Sequence, residues 1–246
     1  MDKKSKFIAS LAHDLKNSIG NSMMYSELLS AELKELARAN VKISSDAESL
    51  ASMSENIHLS SSKLINQINS WVYVQHLIRN QYVEERSTFN VVTLVENIIN
   101  SNQLYLSKKR IQPEKVWAEP DLFIYADREI LNLVLDNLLI QSIIFSDNGD
   151  NLRVSIHSDE DVITIGIADS CNKSRGPVIS RFLGETEVTG DEIPDEGILK
   201  ATGYGMIFCG LALKKIGAKA KVDKNDLGGI TFSFQIKNKT DLSKTC

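Results

Sequence analysis

Apolar residues in the first third of the chain recur at every seventh position. Ile8, Leu15, Leu29 and Leu36 lie on one row, interrupted by Ser22, and Ala12, Ile19 and Leu33 lie on a parallel row with Ser26. Together the rows make one apolar seam, which predicts a long amphipathic helix. After a polar stretch at 40–46, a second row of Leu50, Ile57, Leu64, Trp71 and Ile78, flanked by Met53, Ile68 and Val74, predicts another. Each helix would run for roughly 35 to 40 residues, or about 55 to 60 Å at 1.5 Å per residue. A hairpin of two such helices cannot bury both sides of its seam, whereas two copies packed as a four-helix bundle bury it. A homodimer through residues 3–85 is therefore expected. A hairpin packed on the chain's own second domain is the alternative.

The pattern changes near residues 86–90. Residues 91–108 look helical, and 115–118 and 123–126 are short extended pieces around Pro120. Residues 127–145 form a strongly apolar helix that begins with Asp127 as N-cap. Residues 152–158 and 162–168 alternate as two strands joined by a turn from Ser158 to Asp161. Helix returns over 204–216, and 218–224 with 230–236 form a hairpin about Gly228 and Gly229. Helices interleaved with hairpin-connected strands predict an α/β sandwich with helices on one face of a mixed sheet. The expected fold class is thus α+β: a long helical hairpin forming a dimeric four-helix bundle, followed by the sandwich. The domains are 1–86 and 87–246.

Composition sharpens that division. Only Gly20 of the 13 glycines, and none of the 4 prolines, precedes residue 113, so helix breakers concentrate in the second domain. The 246 residues hold 28 basic and 32 acidic side chains, for a net charge of -4. A mildly acidic chain lacks the basic face of a dedicated nucleic-acid binder. No run reaches the ~20 apolar residues of a bilayer span, and the N-terminus lacks the apolar core of a signal peptide. The expected location is the cytoplasm, for this chain or for the cytoplasmic portion of a longer sensor. Cys171, Cys209 and Cys246 have no metal-ligand spacing and are expected as reduced thiols.

Two regions carry candidate chemistry. In LAHDLKN, residues 11–17, His13 lies between the apolar rows, Asp14 adjoins it, and Asn17 follows one turn later on the same face. An exposed imidazole beside a carboxylate can attack phosphorus while the carboxylate holds the tautomer and accepts the ring proton. A carboxamide one turn away can position a water. A solvated surface histidine is the plainer alternative. In the second domain, TGYGMIF at 202–208 places Gly203 and Gly205 before a helix, where free N–H groups favour a phosphate, although helix capping or a tight turn is the plainer account of the pair taken alone. Asp169, ending the strand in IGIADSCN, can accept a hydrogen bond from an exocyclic amine of a base, or simply serve a turn.

In order and spacing these pieces resemble a sensor histidine kinase of two-component signalling. FIASLAHDLKN is similar to the phosphoacceptor H box, DREILNLVLDNLLIQSIIFS to the N box, IGIADSCN to the G1 box, and TGYGMIF with GGITFSF to the G2 box and closing hairpin. The resemblance covers about residues 5–237. It implies a dimeric helical domain bearing the histidine and an ATP-binding sandwich of the kind shared with the GHKL ATPases. Carried over, His13 is the phosphorylated imidazole, Asp14 its acid/base partner, and Asn17 the residue that helps hydrolyse a partner's aspartyl phosphate. Asp169 recognises adenine with support from Thr231, Gly203 and Gly205 border the phosphates, and Asn137 is the first asparagine of the N box. The implied cofactors are ATP and Mg2+, and the implied partners are a second copy and a response-regulator receiver domain.

The same resemblance exposes four departures. The magnesium-ligating asparagine falls on Gln141, one methylene longer, and the phosphate-holding cation three positions later falls on Ile144. The first glycine of G1 falls on Cys171 and a later glycine of G2 on Ile207. Losing a metal ligand and a cation removes contacts of about 1.5 to 3 kcal/mol each, equivalent to a hundredfold or more in ATP affinity. Two readings follow. In one, His13 takes its phosphoryl group from ATP and passes it to a receiver aspartate; in the other, a degenerate kinase with weakened or lost ATP binding acts as a phosphotransferase, phosphatase or receiver-docking module.

Overall fold

The structure, a computed structural model, describes Leu15, 17–22, Met24, Tyr25, Leu28, Leu29, 44–117, 119–159, 161–171, Ile179, Ser180, Phe182, Leu183 and 196–237. His13 and Asp14, and most of the predicted first helix, lie outside the described residues. The chain divides into two compact units, Met1–Asn69 and Ser70–Cys246.

In the first unit, the residues described between Leu15 and Leu29 are helical, and helix α1 (Ser44–Ile78) begins. Its 35 residues correspond to about 52 Å. Leu50, Ile57 and Leu64 of the predicted row are half-buried. Ile19, Met24, Leu28, Ile65 and Ile68 are exposed.

The second unit starts within α1, where Ser70, Val74 and Leu77 are buried. The helix ends at Ile78 and is closed by Asn80, whose φ of 53° lets Gln81 N reach back to His76 O (2.9 Å), while Asn80 N bonds to Leu77 O (3.2 Å). This left-handed cap is a conformation that asparagine tolerates better than most residues. Then follow β1 (Arg86–Asn90), α2 (Val91–Ser101), α3 (Gln103–Lys108), β2 (Glu114–Val116), β3 (Phe123–Asp127), α4 (Arg128–Phe145), β4 (Leu152–Asp159), β5 (Val162–Asp169), α5 (Glu196–Lys215), β6 (Lys219–Lys224) and β7 (Ile230–Lys237).

Five strands form one sheet in the order β2-β4-β5-β7-β6, with β2 parallel to β4 and the other pairs antiparallel. Alternation puts Leu152, Val154, Ile156, Ile163, Ile165, Ile167, Phe232 and Phe234 in the core. Arg153, Ser155, Thr164, Ser233 and Gln235 take the intervening positions. Val95, Ile98 and Ile99 of α2 and Leu135 and Leu139 of α4 line a small apolar pocket with Val154 and Ile167, so helices pack on the apolar face. A separate antiparallel ribbon joins β1 to β3.

Three details differ from the pattern-based expectation. The segment 91–108 is two helices, because Asn102 turns its side chain onto Ile98 O (2.9 Å) and Asp136 Oδ1 (2.6 Å) instead of continuing the helix. Strand β1 was not expected; its RSTFN sequence is short and mostly exposed, and only its pairing with β3 makes it a strand. Helix α5 begins at Glu196 rather than 204. Among the described residues no helix is long and apolar enough to cross a membrane.

Candidate functional site

Helix α4 is set by its first residue. Asp127, 1% exposed, accepts from Glu129 N and Ile130 N at 3.1 Å each, satisfying two amides that have no intrahelical partner. The same carboxylate accepts from Tyr82 Oη (2.5 Å) and Glu85 N (2.9 Å), which ties the segment after α1 to the start of α4. Burial, and then the hydrogen bond to Asp127, raise the Tyr82 phenol far above its ordinary pKa. Burial and Glu129 do the same to Tyr73.

From that anchor, α4 carries Asn137, Gln141 and Ile144 along one side. Asn137 is buried, Gln141 is half-buried and Ile144 is exposed. The Asn137 carboxamide is engaged at both ends. Its Nδ2 donates to Leu133 O (2.7 Å), and its Oδ1 accepts from Ser70 Oγ (3.4 Å). Gly205 of α5 lies so close that a side-chain carbon there would collide with Oδ1 and sit 3.0 Å from Cγ.

Gly203 and Gly205 are therefore inside α5, the eighth and tenth residues counted from Glu196. They do not stand at the N-terminus of a helix, which corrects the expected placement. Gly205, lacking Cβ, permits close approach of α5 to α4. Ile207, on the altered G2 position, is a core residue between the equally buried Met206 and Phe208. Cys209 follows, and burial lifts its thiol well above the usual range.

The second group of candidate residues gathers at the C-terminal end of β5. Asp169 is fully buried, and its Oδ1 accepts from Cys171 N (3.0 Å). Its carbonyl accepts from Asn225 Nδ2 (2.9 Å), while Asn225 Oδ1 takes Leu227 N and Gly229 N at 3.0 Å each. One asparagine thus closes the β6–β7 turn and fastens it to β5. Gly229 backbone presses on Asp169 O and Cys171 N with no space for a Cβ. Thr231, two residues on, pairs with Ala168 in the register of β5 and β7. Phe182 is buried and packs edge-on against Phe232, with ring centroids 5.1 Å apart.

The structure brings Asn137 to Gly205 and sets Thr231 beside the end of β5 that bears Asp169; the two groups are built on different elements. Asn17 is exposed on its helix. Among the described residues no group of three or more His, Cys, Asp or Glu side chains could hold a metal ion. Sequence reasoning passed over Ser70, Tyr82 and Asn225. Only Asn225 had a local signal, the Asn-Asp-Leu-Gly-Gly run of an Asx turn.

No protein-family model matches the chain. It is 21% identical over 167 residues to the histidine protein kinase DivJ of Caulobacter vibrioides, which covers 68% of this chain and 26% of DivJ. The chain thus spans about a quarter of the length of that relative. Among solved structures, the Acinetobacter baumannii histidine kinase AdeS superposes with a TM-score of 0.53 at 17% identity, over 87% of this chain and 95% of that one. Full-length ShkA in complex with AMPPNP gives 0.56 at 15% identity, over 88% of this chain and 45% of that one. The chain is similar in sequence to sensor histidine kinases, and its second unit has the GHKL-type fold of their catalytic domains.

Proposed function

We propose that this histidine-kinase-like chain is a two-component phosphotransfer protein that carries a phosphoryl group on His13 and exchanges it with an aspartate of a response-regulator receiver domain. Residues 1–86 would be the dimerising hairpin and 87–246 the GHKL-like domain. The half-buried Leu50, Ile57 and Leu64 and the exposed Ile65 and Ile68 support a second copy against the hairpin. In the transfer from a receiver acyl phosphate, an imidazole nitrogen of His13 bonds to phosphorus. The bond from phosphorus to the carboxylate oxygen breaks, the carboxylate leaves as the anion, and Asp14 takes the proton of the other ring nitrogen. For the reverse transfer the bonds exchange roles. Asn17, exposed one turn away, would orient water for hydrolysis of the receiver's acyl phosphate, giving inorganic phosphate and a free carboxylate.

The observation that carries the choice between the two sources of phosphate is the Asn137 carboxamide, which is held at both ends by the protein itself. With Gln141 in place of the metal-ligating asparagine and Ile144 in place of a cation, these residues do not fit Mg2+ in its octahedral shell of ~2.1 Å. That favours the phosphotransfer, phosphatase or docking module over an autokinase. The kinase reading is supported by Asp169, Thr231, Gly203 and Gly205, which match the family's nucleotide residues, and by the fold shared with AMPPNP-bound ShkA. Two labelled donors separate the readings: γ-labelled ATP with Mg2+, and a receiver domain phosphorylated by a labelled small acyl phosphate. The proposal expects acid-labile label from the receiver on wild type, none on His13→Ala, and none from ATP. Label from ATP that is lost in His13→Ala would establish the kinase; label from neither donor would remove phosphotransfer altogether.

A further inference from the structure

Asn137, one helical turn before the Gln141 that stands at the metal-ligand position, is covered by the chain's own helix. Ser70 is 1% exposed and Asn137 8%. The hydroxyl of Ser70 donates to Asn137 Oδ1 at 3.4 Å, a long hydrogen bond, and two further contacts hold the same stretch of chain to α4 and α5. The Tyr73 ring meets Phe208 of α5 edge-on at 5.6 Å, and Tyr82 bonds to Asp127 at the start of α4. Between them Val74 and Leu77 are buried. Residues 70–82 therefore form a strap over the α4–α5 pair, with one polar end on Asn137 and the other on Asp127.

The chemistry at the Asn137 end is restrictive. A magnesium ligand must offer an oxygen at ~2.1 Å and leave space for the several waters that the ion retains. Asn137 Oδ1 has Ser70 on one side and the backbone of Gly205 on another, and Nδ2 is tied to Leu133 O, so rotating the amide would break a 2.7 Å bond inside a buried environment. Polar atoms so enclosed bind structure rather than solvent or ions.

We propose that Asn137 is the socket for the strap: its carboxamide secures residues 70–78 of α1 to the sandwich, and a magnesium nucleotide could engage it only by displacing them. The same contact would make the release of α1 from α4 and α5 a discrete conformational step rather than a gradual loosening. The proposal is independent of any reaction at His13, because both its contacts and its readout lie in the second unit.

Backbone hydrogen exchange on the full chain tests it. Asn137→Ala is expected to accelerate exchange of the amides of 70–78 about fivefold or more, and Ser70→Ala about twofold, with the amides of β4 and β5 unchanged as a control for folding. Calorimetry with Mg2+ alone, and with Mg2+ plus AMPPNP, is expected to show no saturable binding to wild type. Unchanged exchange at 70–78 in either variant overturns the proposal, as does saturable wild-type binding that Asn137→Ala abolishes. Should Asn137→Ala fail to fold, Ser70→Ala and the wild-type titration decide it alone.

Discussion

Tyr82 donates a 2.5 Å hydrogen bond to Asp127, the residue that caps α4. The buried carboxylate thereby collects four donors from three places: the Tyr82 phenol, the Glu85 amide, and the Glu129 and Ile130 amides of its own helix. A buried anion is tolerated only when so satisfied.

Tyr82→Phe removes one donor and leaves the ring. Asp127 stays buried with three partners, so the loss should lie near the value for a charge-assisted hydrogen bond, about 1.5 to 3 kcal/mol. Urea denaturation measures it, and a variant as stable as wild type would show that the contact contributes nothing.

Alkaline pH should act on three half-buried phenols, Tyr73, Tyr82 and Tyr105. Burial, followed by the charge of Asp136, pushes the Tyr105 phenol up to about 12, and Tyr73 and Tyr82 are shifted in the same direction. Each phenol holds its proton more tightly in the folded chain than in the unfolded one, where ionisation occurs near pH ~10. Their contribution to stability is therefore complete below that value and decays as pH rises through about 12 for Tyr105. The urea midpoint should be level to about pH 10 and then fall. Tyr105→Phe should flatten the fall; an identical slope in that variant would assign the effect elsewhere.

Gly205→Ala sets two effects against each other. Alanine gains about 1 kcal/mol of helix propensity over glycine. Its Cβ, however, meets Asn137, whose side chain is held by the bond to Leu133, and overpacking costs about 1 to 3 kcal/mol. The single variant should be neutral to destabilised by about 2 kcal/mol, the difference of those terms. In an Asn137→Ala background the clash disappears, and Gly205→Ala should stabilise by about 1 kcal/mol. Additive behaviour of the two changes would mean that the helices do not meet here.

Gly229→Ala has no such relief, because the atoms it meets are the Asp169 carbonyl and the Cys171 amide, both backbone. A loss of about 3 kcal/mol is expected, the upper range for overpacking. Gly228→Ala at the neighbouring position, where φ is 90° but the space is open, should cost about 1 kcal/mol by conformation alone. Equal losses at the two positions would contradict the close approach of this turn to β5.

These residues also mark what a sequence can convey. The apolar periods located α1, α4, β4, β5 and β7 to within a few residues, because each buries a regular face and the period survives in one dimension. Asp127 was recognisable as a cap from its place before an apolar run. Strand β1 and the break at Asn102 were not, since the first depends on pairing with β3 and the second on a hydrogen bond to Asp136, 34 residues away. The site divides in the same way. Asp169 stood out by its place at the end of a strand, and Asn137 and Thr231 entered only through the resemblance to histidine kinases; that Asn137 would face Ser70, and Gly205 would lie within a helix, depends on how three helices pack.

The order of the sheet has a consequence for how copies of this chain can associate. Its outermost strands are β2, only three residues long, and β6, whose sequence KAKVDK presents Lys219, Lys221 and Lys224 to solvent. A short border on one side and three exposed lysines on the other, Lys221 among them paired with Asp223 at 2.9 Å, discourage strand addition, because a second chain laid alongside β6 would strip these charges of water. Association through the sheet margin is thereby suppressed. Under the proposed pairing of two hairpins, association would instead use the apolar side chains of the helices, where a symmetric contact closes on itself without fibre growth.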